Sequence, residues 1–279
     1  MSTKAERFGP LPDTAVLPTP VYTTQVPRSE FACSPPLAEG KTEWYPPVMV
    51  GASSIGNVIE RDCRRYLEQA TELLGRLDPD EYILFLKDYY KLGLERYGDD
   101  WGYVDIVTAV LGLAEHLKPS SYLEIGVRRG RSVCALASVR PDVHVAMFDM
   151  WVENYAGMDN PGQTHVNNEL DKIGHKGKRE FVNGNSHQTL KQYFADNPDT
   201  YFDLITVDGD HSNMGAAEDI ADVLPRLSIG GAVLFDDTCN PNVAGLGAVW
   251  RRMLEENPRF SAYTYTDVGY GVGFAIRKF

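Results

Sequence analysis

The chain has 279 residues, of which 43% are hydrophobic, and a formal net charge of −12 at pH 7. A chain of this length and apolar content can bury a sizeable core. The negative charge argues against nucleic acid as a main partner, because phosphate recognition needs a basic face. No apolar stretch approaches the roughly 20 residues that cross a bilayer, so no membrane partner is expected.

The N-terminal sequence MSTKAERFGPLPD lacks the apolar core of a signal peptide, and we therefore expect a cytoplasmic protein. The cysteines have neither metal-binding nor redox spacing, so free thiols are predicted. They are Cys33, Cys63, Cys134 and Cys239.

The first 50 residues carry nine of the 17 prolines and show little periodicity. Such a segment forms neither a helix nor a central strand, because proline lacks the backbone donor that both need. We interpret residues 1–54 as an extended, proline-rich arm that is either disordered or laid across a neighbouring surface. Its candidate anchors are Tyr22, Phe31, Trp44 and Tyr45.

Residues 55–118 show helical periodicity. Apolar side chains recur every three or four residues from Val58 to Leu74 and again from Tyr82 to Leu94. A further helix is predicted over Tyr103–Leu117, ending at Lys118-Pro119. We interpret this region as a helical cap whose aromatic stripe belongs to the core.

After Ser121, strand and helix patterns alternate regularly. This alternation indicates an α/β fold in which a doubly wound, mostly parallel seven-stranded sheet is covered by helices on both faces. The predicted strands are Tyr122–Ile125, Val143–Phe148, Glu180–Val182, Phe202–Val207, Ala232–Phe235, and an edge hairpin of Ala262–Asp267 and Gly273–Arg277. The predicted helices are Arg131–Ser138, Gln163–Lys172, Ser186–Asn197, Asn213–Leu224 and Val243–Asn257.

The stretch Ser121–Val133, which reads SYLEIGVRRGRSV, joins the first predicted strand to a helix through Gly126 and Gly130. The first amides of such a helix lack partners and face a ligand, and glycine lets the backbone approach that ligand closely. The G-x-x-x-G spacing differs from the dinucleotide motif G-x-G-x-x-G, and the G-K-[ST] of a P-loop is missing. The stretch therefore predicts a small ligand at the first crossover.

Polar side chains follow the predicted parallel strands at their carboxyl ends, where open α/β sheets bind ligands. The second strand ends at Asp149, which is placed to accept two ribose hydroxyls. Converging carboxylates repel each other unless a cation or shared protons hold them, and such hard oxygen ligands suit Mg²⁺, Mn²⁺ or Ca²⁺. The alternative is that some of these aspartates cap helices. The converging carboxylates, in VDGDH and FDD, are Asp208, Asp210, Asp236 and Asp237.

Two further features lie near this edge of the predicted sheet. His211 follows the carboxylates and is a plausible base, because its unperturbed pKa lies near neutrality. The segment Trp151–Pro161 (WVENYAGMDNP) is typical of a lid or acceptor-recognition loop. Trp151 and Tyr155 would stack on a substrate or, alternatively, pack against the cap.

Taken in order, LEIGVRRGRS, FDMW, GNSHQTL, VDGDHS and GGAVLFDD resemble a class I S-adenosylmethionine-dependent methyltransferase with a Rossmann-like sheet. They are most similar to the metal-dependent O-methyltransferases that act on sugar hydroxyls of macrolide and aminocoumarin antibiotics. The resemblance covers roughly Trp101–Phe279 and does not extend to residues 1–50. The proline-rich stretch, the helical periodicity and this resemblance together predict an arm over residues 1–54, a helical cap over 55–118 and an S-adenosylmethionine-binding methyltransferase domain over 119–279.

By position, the resemblance assigns cofactor-binding roles to residues that follow the first three strands. Three arginines lie at the N-terminus of the following helix, where positive charge is unfavourable because it opposes the helix dipole. Either one of them binds the cofactor's carboxylate, or all three are solvated. The assigned residues are Glu124, Gly126, Gly130 and Ser132 at the methionine end, Asp149 at the ribose, and Asn185 and Ser186 at the adenine. Asp208 borders the cofactor, and the arginines are Arg128, Arg129 and Arg131.

The resemblance also assigns the metal ligands and leaves the base open. Asp208, Asp236 and Asp237 match the ligands of Mg²⁺ (or Mn²⁺). Relatives use a base at the position of either Asp210 or His211, and this chain has both. We favour His211, because a carboxylate beside Mg²⁺ is a poor base for a sugar hydroxyl.

The implied reaction is methyl transfer from S-adenosylmethionine to a hydroxyl of a small natural product, a sugar or another diol. A divalent ion that binds two vicinal oxygens lowers the pKa of the attacking hydroxyl and orients it. The alternatives are a catechol or phenol acceptor, a metal-dependent hydrolase or hydroxylase, and a non-catalytic cofactor-binding assembly protein. The proline-rich arm is compatible with a homo-oligomer, either a dimer or a larger assembly.

Overall fold

A seven-stranded sheet forms the centre of the computed structural model, which describes residue 11, residues 16–23 and 25–33, and the chain from 47 to 279. The strand order is β3-β2-β1-β4-β5-β7-β6, with β1 to β5 parallel and β7 antiparallel to both of its neighbours. This topology confirms the predicted doubly wound sheet. The strands are β1 (Ser121–Ile125), β2 (His144–Asp149), β3 (Arg179–Asn183), β4 (Phe202–Val207), β5 (Leu227–Asp236), β6 (Phe260–Tyr265) and β7 (Val272–Arg277).

Helices cover both faces of the sheet. Alternate residues of β4 illustrate this, since Leu204 joins the core on one face and Ile205 joins the core on the other. The first face is covered by α1, α2, α4, α5 and α6, and the second by α7, α8 and α9. The helices are α1 (Ala52–Arg61), α2 (Cys63–Arg76), α3 (Glu81–Tyr97), α4 (Ile106–Leu117), α5 (Arg131–Val139), α6 (Gln163–Ile173), α7 (Ser186–Asp196), α8 (Asn213–Val223) and α9 (Leu246–Trp250).

The predicted helical N-terminal region is present, and it shares its core with the sheet. Val110 of α4 and Leu234 of β5 belong to one buried cluster. The boundary predicted at residues 118 and 119 between a cap and a sheet domain therefore stays a prediction. Along the part of the chain that the structure describes, no helix has both the length and the apolar character needed to cross a bilayer.

Two predicted helices differ from the observed ones. The helix predicted from Tyr103 begins at Ile106, because Asp105 and Thr108 form a capping box in which each side chain satisfies the other's backbone amide. The helix predicted over Val243–Asn257 is interrupted, because α9 passes into a π-helical turn at Arg251–Glu255.

The fifth strand is longer than predicted. It begins at Leu227, which pairs with Phe202, and the register shifts before Leu204 pairs with Ala232. Gly230, with φ of +81°, and Gly231 lie at this irregularity. A Gly-Gly pair normally indicates a turn, and here it lies within an irregular strand.

The aromatic stripe predicted as core on α3 is only partly buried. The residues of α3 that face the core are Ile83, Leu86 and Tyr90. Phe85 is 57% exposed, and Tyr82 is 36% exposed. The prediction is therefore wrong for the edge of the stripe that begins at Tyr82.

The described part of the arm lies on the sheet domain. Ser29 N donates to Ile229 O at 2.8 Å, and Ile229 N donates to Pro27 O at 3.0 Å. The Tyr22 ring lies 4.5 Å from the Arg259 guanidinium and 4.9 Å from that of Arg277. These contacts favour the docked alternative for this part of the arm. Phe31 packs against the main core, whereas the other two predicted anchors, Trp44 and Tyr45, lie outside the described residues.

Replacing Tyr22 with alanine removes a ring that contacts two guanidinium groups, those of Arg259 and Arg277. We expect the free energy of unfolding to fall by about 1–2 kcal/mol, because each cation–π contact contributes about 0.5–2 kcal/mol. Protease cleavage within residues 16–33 should also become faster. Val21 is 81% exposed and provides the matched control, Val21→Ala, for which a change within about 0.5 kcal/mol is expected. Equal stability of the two variants in urea unfolding would contradict the docking of the arm.

Candidate active site

Gly126 lies where the loop after β1 crosses the end of β4. Its φ is +89°, and a Cβ atom there would lie 1.9 Å from the carbonyl oxygen of Asp208. Gly126 N donates to Phe148 O, and Asp208 N donates to Ile125 O, each at 2.9 Å. The predicted glycine cradle is therefore fixed between the ends of β1, β2 and β4, at the switch point where such sheets bind ligands.

Glu124, at the same edge, is a buried carboxyl group that is held by two neighbours, Ser132 and Tyr122. Ser132 Oγ donates to its Oε1, and the Tyr122 hydroxyl lies 2.6 Å from its Oε2 and 2.8 Å from Thr206 Oγ1. Burial raises the pKa of Glu124 to about 8. The group therefore holds a proton near neutral pH. Sequence reasoning missed Tyr122 and Thr206, whose only signal is a polar atom within an apolar strand.

Asp149 connects the loops that follow β1 and β2. Its Oδ2 accepts from Arg128 N at 2.7 Å, and its Oδ1 accepts from Trp151 N at 2.5 Å. Arg128 and Trp151 both have left-handed φ, at +52° and +53°, so these bonds fix an unusual backbone course. Each carboxylate oxygen keeps a further acceptor site, as the predicted ribose contact requires.

The three arginines of the first loop have different partners. Arg129 Nε and Arg131 Nη1 lie 3.1 and 3.7 Å from Asp80 Oδ2, and Asp80 caps α3. Nε and Nη2 of Arg128 are also buried without a hydrogen-bond partner, and no carboxylate of the described residues lies within ion-pair distance of this guanidinium. Two of the arginines thus connect the helical region to this loop, and the predicted contact of Arg128 with the cofactor's carboxylate stays a prediction. The role of Asp80 could not be read from its sequence position.

Asn185 and Ser186 lie at the start of α7, beyond β3. Asn185 Oδ1 accepts from His187 N at 2.9 Å and so caps the helix. Gly184, which precedes them, donates its amide to Asp149 O at 2.9 Å. The pair is therefore adjacent to the predicted ribose-binding residue. Their contact with adenine stays a prediction.

Carboxylates and one histidine meet at the ends of β4 and β5. His211 Nε2 lies 3.2 Å from Asp237 Oδ2 and 3.6 Å from Asp208 Oδ1. Hydrogen bonds to Asp208 and Asp237 raise the pKa of His211 to about 11. Burial, together with the charges of Asp208 and Asp237, raises the pKa of Asp236 well above its usual value. The positive charge of the His211 imidazolium thus offsets part of the repulsion among the neighbouring carboxylates.

The donor chemistry of this cluster fits a hard divalent cation. Asp208, Asp236 and Asp237 supply only carboxylate oxygens, and a cation would remove the repulsion between them. Their side chains do not form a compact triad. Within the described ranges, the one group with three ligand atoms within 4.8 Å of one another is Asp78, His165 and Glu169. Lys172 Nζ already neutralises that group, at 2.5 Å from Asp78 and 2.6 Å from Glu169.

The two candidate bases face different neighbours, although they are adjacent in sequence. Asp210 Oδ1 accepts from Ser212 N at 2.7 Å, and its Oδ2 lies 3.2 Å from His187 Nε2 on α7. His211 instead contacts the carboxylates at the ends of β4 and β5. The structure therefore does not bring Asp210 together with His211. Sequence reasoning had also missed His187.

The predicted lid loop contributes one side chain to the cluster. The Tyr155 hydroxyl lies 3.1 Å from His211 Nδ1, and its side chain is 42% exposed. Trp151 Nε1 donates to Asn183 Oδ1 at 2.7 Å, and its ring packs near Phe181. Tyr155 is thus beside the candidate base, whereas Trp151 is fixed at the end of β3.

Gly126→Ala and Gly174→Ala form a matched pair, because both glycines have φ near +85° but only Gly126 lacks space. Nothing lies within 4 Å of a Cβ at Gly174, so we expect only left-handed strain there, about 1–2 kcal/mol. Gly126→Ala should cost about 1–3 kcal/mol more, because its Cβ displaces the Asp208 carbonyl. It should also abolish S-adenosylhomocysteine binding, whereas Gly174→Ala retains it. Equal losses in denaturant unfolding and unchanged binding would contradict the role of the close approach.

The fold has relatives among solved structures. An assigned O-methyltransferase from Klebsiella pneumoniae is 19% identical, with a TM-score of 0.50 over 77% of this chain and 90% of that one. The O-methyltransferase from Bacillus cereus, solved with S-adenosylhomocysteine, is 18% identical, with a TM-score of 0.49 over 77% and 91%. A TDP-rhamnose 3′-O-methyltransferase of calicheamicin biosynthesis is 22% identical, with a TM-score of 0.48 over 76% and 93%. Comparison with curated proteins gives no match.

A family model described as a methyltransferase domain matches residues 123–238. This range begins in β1 and ends just beyond β5, so it contains the glycine loop and the carboxylates of the strand ends. The sheet order and this match agree with the resemblance carried by the sequence motifs. Residues 123–238 of the chain therefore match a methyltransferase domain, and this range holds the predicted cofactor-binding loop and the carboxylates of the strand ends.

Proposed function

We propose that the protein transfers a methyl group from S-adenosylmethionine to a hydroxyl of a small diol of natural-product type, a sugar or a related molecule, with help from Mg²⁺ or Mn²⁺. The observation that supports this most directly is the position of Asp208. Its backbone closes against the cradle glycine Gly126, and its side chain faces His211. The predicted cofactor half and metal half of the site therefore adjoin, as direct transfer between donor and acceptor requires.

The side chains suggest how the acceptor hydroxyl loses its proton. A divalent cation held by Asp208, Asp236 and Asp237 would supply Lewis acidity to the acceptor oxygen and compensate the three carboxylates. Carboxylates neutralised by the cation would no longer hold a proton on His211, and its Nε2 would then accept the hydroxyl proton. Tyr155 orients the ring through Nδ1. Proton transfer to such a base typically contributes about 10²–10⁴-fold.

The alternative functions have less support. The match of residues 123–238 to a methyltransferase domain disfavours a hydrolase or hydroxylase on the same scaffold. A non-catalytic assembly protein would have no use for Asp236, whose buried charge is repelled by its neighbours. A catechol presents the same pair of vicinal oxygens as a sugar diol, so phenolic acceptors stay in the panel to be tested.

Asp236→Asn tests the metal half of the site. Removing one charge from the self-repelling cluster should raise the free energy of unfolding of the metal-free protein, because burial and like charges disfavour the ionised Asp236. The same change should abolish the heat of Mg²⁺ binding when Mg²⁺ is titrated into the complex with S-adenosylhomocysteine. Methyl transfer to diol acceptors should fall with it.

Asp210→Asn is the control, since Asp210 lies in the same loop but faces Ser212 and His187. It should retain the heat of Mg²⁺ binding. Loss of that heat in both variants, or in neither, would overturn the assignment of Asp208, Asp236 and Asp237 as ligands. Comparison of turnover by His211→Asn and Asp210→Asn identifies the base, and we expect the larger loss for His211→Asn.

Arg128→Ala tests the anion-binding role inferred from its unpartnered guanidinium. A hydrogen bond to a charged group contributes about 1.5–3 kcal/mol, so we expect affinity for S-adenosylhomocysteine to fall roughly 10- to 100-fold. Arg140→Ala, at the other end of α5, should leave the affinity unchanged. Unchanged affinity in Arg128→Ala, measured by calorimetry, would remove this residue from the cofactor site.

A further inference from the structure

Asn240 follows the predicted metal ligands Asp236 and Asp237 and begins a short 3₁₀ turn, Pro241–Val243. Its side-chain amide has two hydrogen-bonding ends, and both ends have partners. The oxygen Oδ1 accepts from Asn242 N at 3.0 Å, and the nitrogen Nδ2 donates to Asp237 Oδ1 at 3.0 Å. Reversing the amide would leave the Asn242 amide without an acceptor and turn an oxygen toward the carboxylate, so these two contacts determine its orientation.

The Asp237 carboxylate is held from two sides. Its Oδ1 accepts from Asn240 Nδ2, and its Oδ2 lies 3.2 Å from His211 Nε2. The two contacts come from different parts of the chain, the loop after β5 and the loop after β4. Because each oxygen has its own donor, the carboxylate cannot turn out of this plane without losing one of them. The contact with Asn240 therefore fixes the direction in which Asp237 faces His211.

The backbone around Asn240 is held as firmly as its side chain. Asp237 has a left-handed φ of +60°, and Asn240 N donates to Asp237 O at 3.3 Å, which closes a turn. Thr238 N donates to Gly271 O at 3.1 Å, so this turn is attached to the loop between β6 and β7. Pro241 keeps the residue before it extended, and Asn240 accordingly has φ of −67° and ψ of 119°. The amide thus reaches Asp237 from a fixed position.

The capping of the 3₁₀ turn does not by itself require an asparagine. Asparagine, aspartate and serine are about equally favourable at a helix start, because each supplies an oxygen for the first free amides. Of these three, only asparagine adds an uncharged donor long enough to reach Asp237 while its oxygen caps the turn. An aspartate would place a further carboxylate beside Asp236, whose charge its neighbours already repel. The chemistry of the side chain therefore points to the carboxylate as well as to the turn.

The other cluster of carboxylates described above is held in a different way. Lys172 Nζ contacts both Asp78 and Glu169, and its positive charge neutralises them. Asn240 instead contributes a donor that carries no charge, so it orients Asp237 without neutralising it. A carboxylate that is oriented and keeps its charge is the ligand that a hard divalent cation requires.

We propose that Asn240 is a positioning residue of the predicted metal site, where it holds Asp237 in the orientation that suits both His211 and a divalent cation. The inference rests on the proposed function, because it assigns a role toward the same metal site. Asn240 acts through Asp237 and needs no contact of its own with the cation, the cofactor or the acceptor. Replacing a residue that orients a metal ligand typically lowers metal affinity about 10- to 100-fold.

Asn240→Ser is the informative variant, because a serine oxygen still caps the turn, whereas the shorter side chain cannot reach Asp237. Asn242→Ser is the matched control, since it makes the same change at an exposed residue of the same turn. Each protein is saturated with S-adenosylhomocysteine, and Mg²⁺ is then titrated by calorimetry. Mn²⁺ is titrated in parallel, and its binding is followed by the loss of the electron paramagnetic resonance signal of the free ion. Melting temperatures are measured without metal.

We expect Asn240→Ser to bind Mg²⁺ and Mn²⁺ at least roughly tenfold more weakly than the wild type does. Asn242→Ser should bind both ions with the wild-type affinity. Both variants should bind S-adenosylhomocysteine normally, and they should melt at the same temperature without metal, because both retain the cap of the turn. A purely structural role of Asn240 would change the melting temperature and leave the metal affinity as it is.

Equal metal affinities in the two variants, with normal cofactor and metal binding by the wild type, would reject the role of Asn240 and leave the proposed function intact. A lower metal-free melting temperature for Asn240→Ser than for Asn242→Ser would also overturn that role. Failure of the wild type to bind S-adenosylhomocysteine would instead reject the proposed function. Normal cofactor binding without binding of either ion would reject the metal half of the proposed function, and the role of Asn240 with it.

Discussion

The close approach of Gly126 to the Asp208 carbonyl is the constraint on which the candidate site depends. This approach arises because β1 hydrogen-bonds to both β2 and β4, so the loops that follow these three strands lie side by side at one edge of the sheet. A side chain at Gly126 would force the two loops apart. The cofactor loop and the carboxylate-bearing loop therefore share one packed backbone contact, and the position of either one determines the position of the other.

The same edge of the sheet carries charge that folding alone would not favour. Burial raises the pKa of Glu124 and of Asp236, which means that the folded protein is less stable with these groups ionised than with them protonated. For Glu124, this loss of stability accumulates as the pH rises from its unfolded pKa toward 8. His211 offsets part of the cost at Asp237 and Asp208. Groups kept at such a cost are typical of functional sites.

How far the sequence predicts this structure depends on the range of the interactions involved. The apolar run Phe202–Val207 predicted β4 at its observed limits. The carboxyl ends of neighbouring parallel strands lie at one edge of a sheet, so the sequence also predicted that Asp208 and Asp237 lie close together, and both contact His211. Local rules failed at Gly230, where an irregular strand looks like a turn. They could not find the ion pairs of Asp80 with the arginines, since those depend on how α3 packs against a loop some 50 residues away. Local rules also could not predict that Asp210 and His211 have different partners, because the direction of each side chain depends on the backbone of the turn that holds them.

The ion pairs of Asp80 connect two parts of the molecule with different tasks. Residues after the strands form the proposed cofactor and metal site, whereas Tyr82, whose ring lies 4.6 Å from the Arg131 guanidinium, belongs to α3. Asp80 caps α3 and pairs with Arg129 and Arg131 at the cofactor loop, so the position of the helix relative to that loop is fixed by partly buried charges, which salt screens weakly. We therefore expect a substitution at the exposed ring of Phe85, on the same helix, to leave the Gly126 cradle undisturbed.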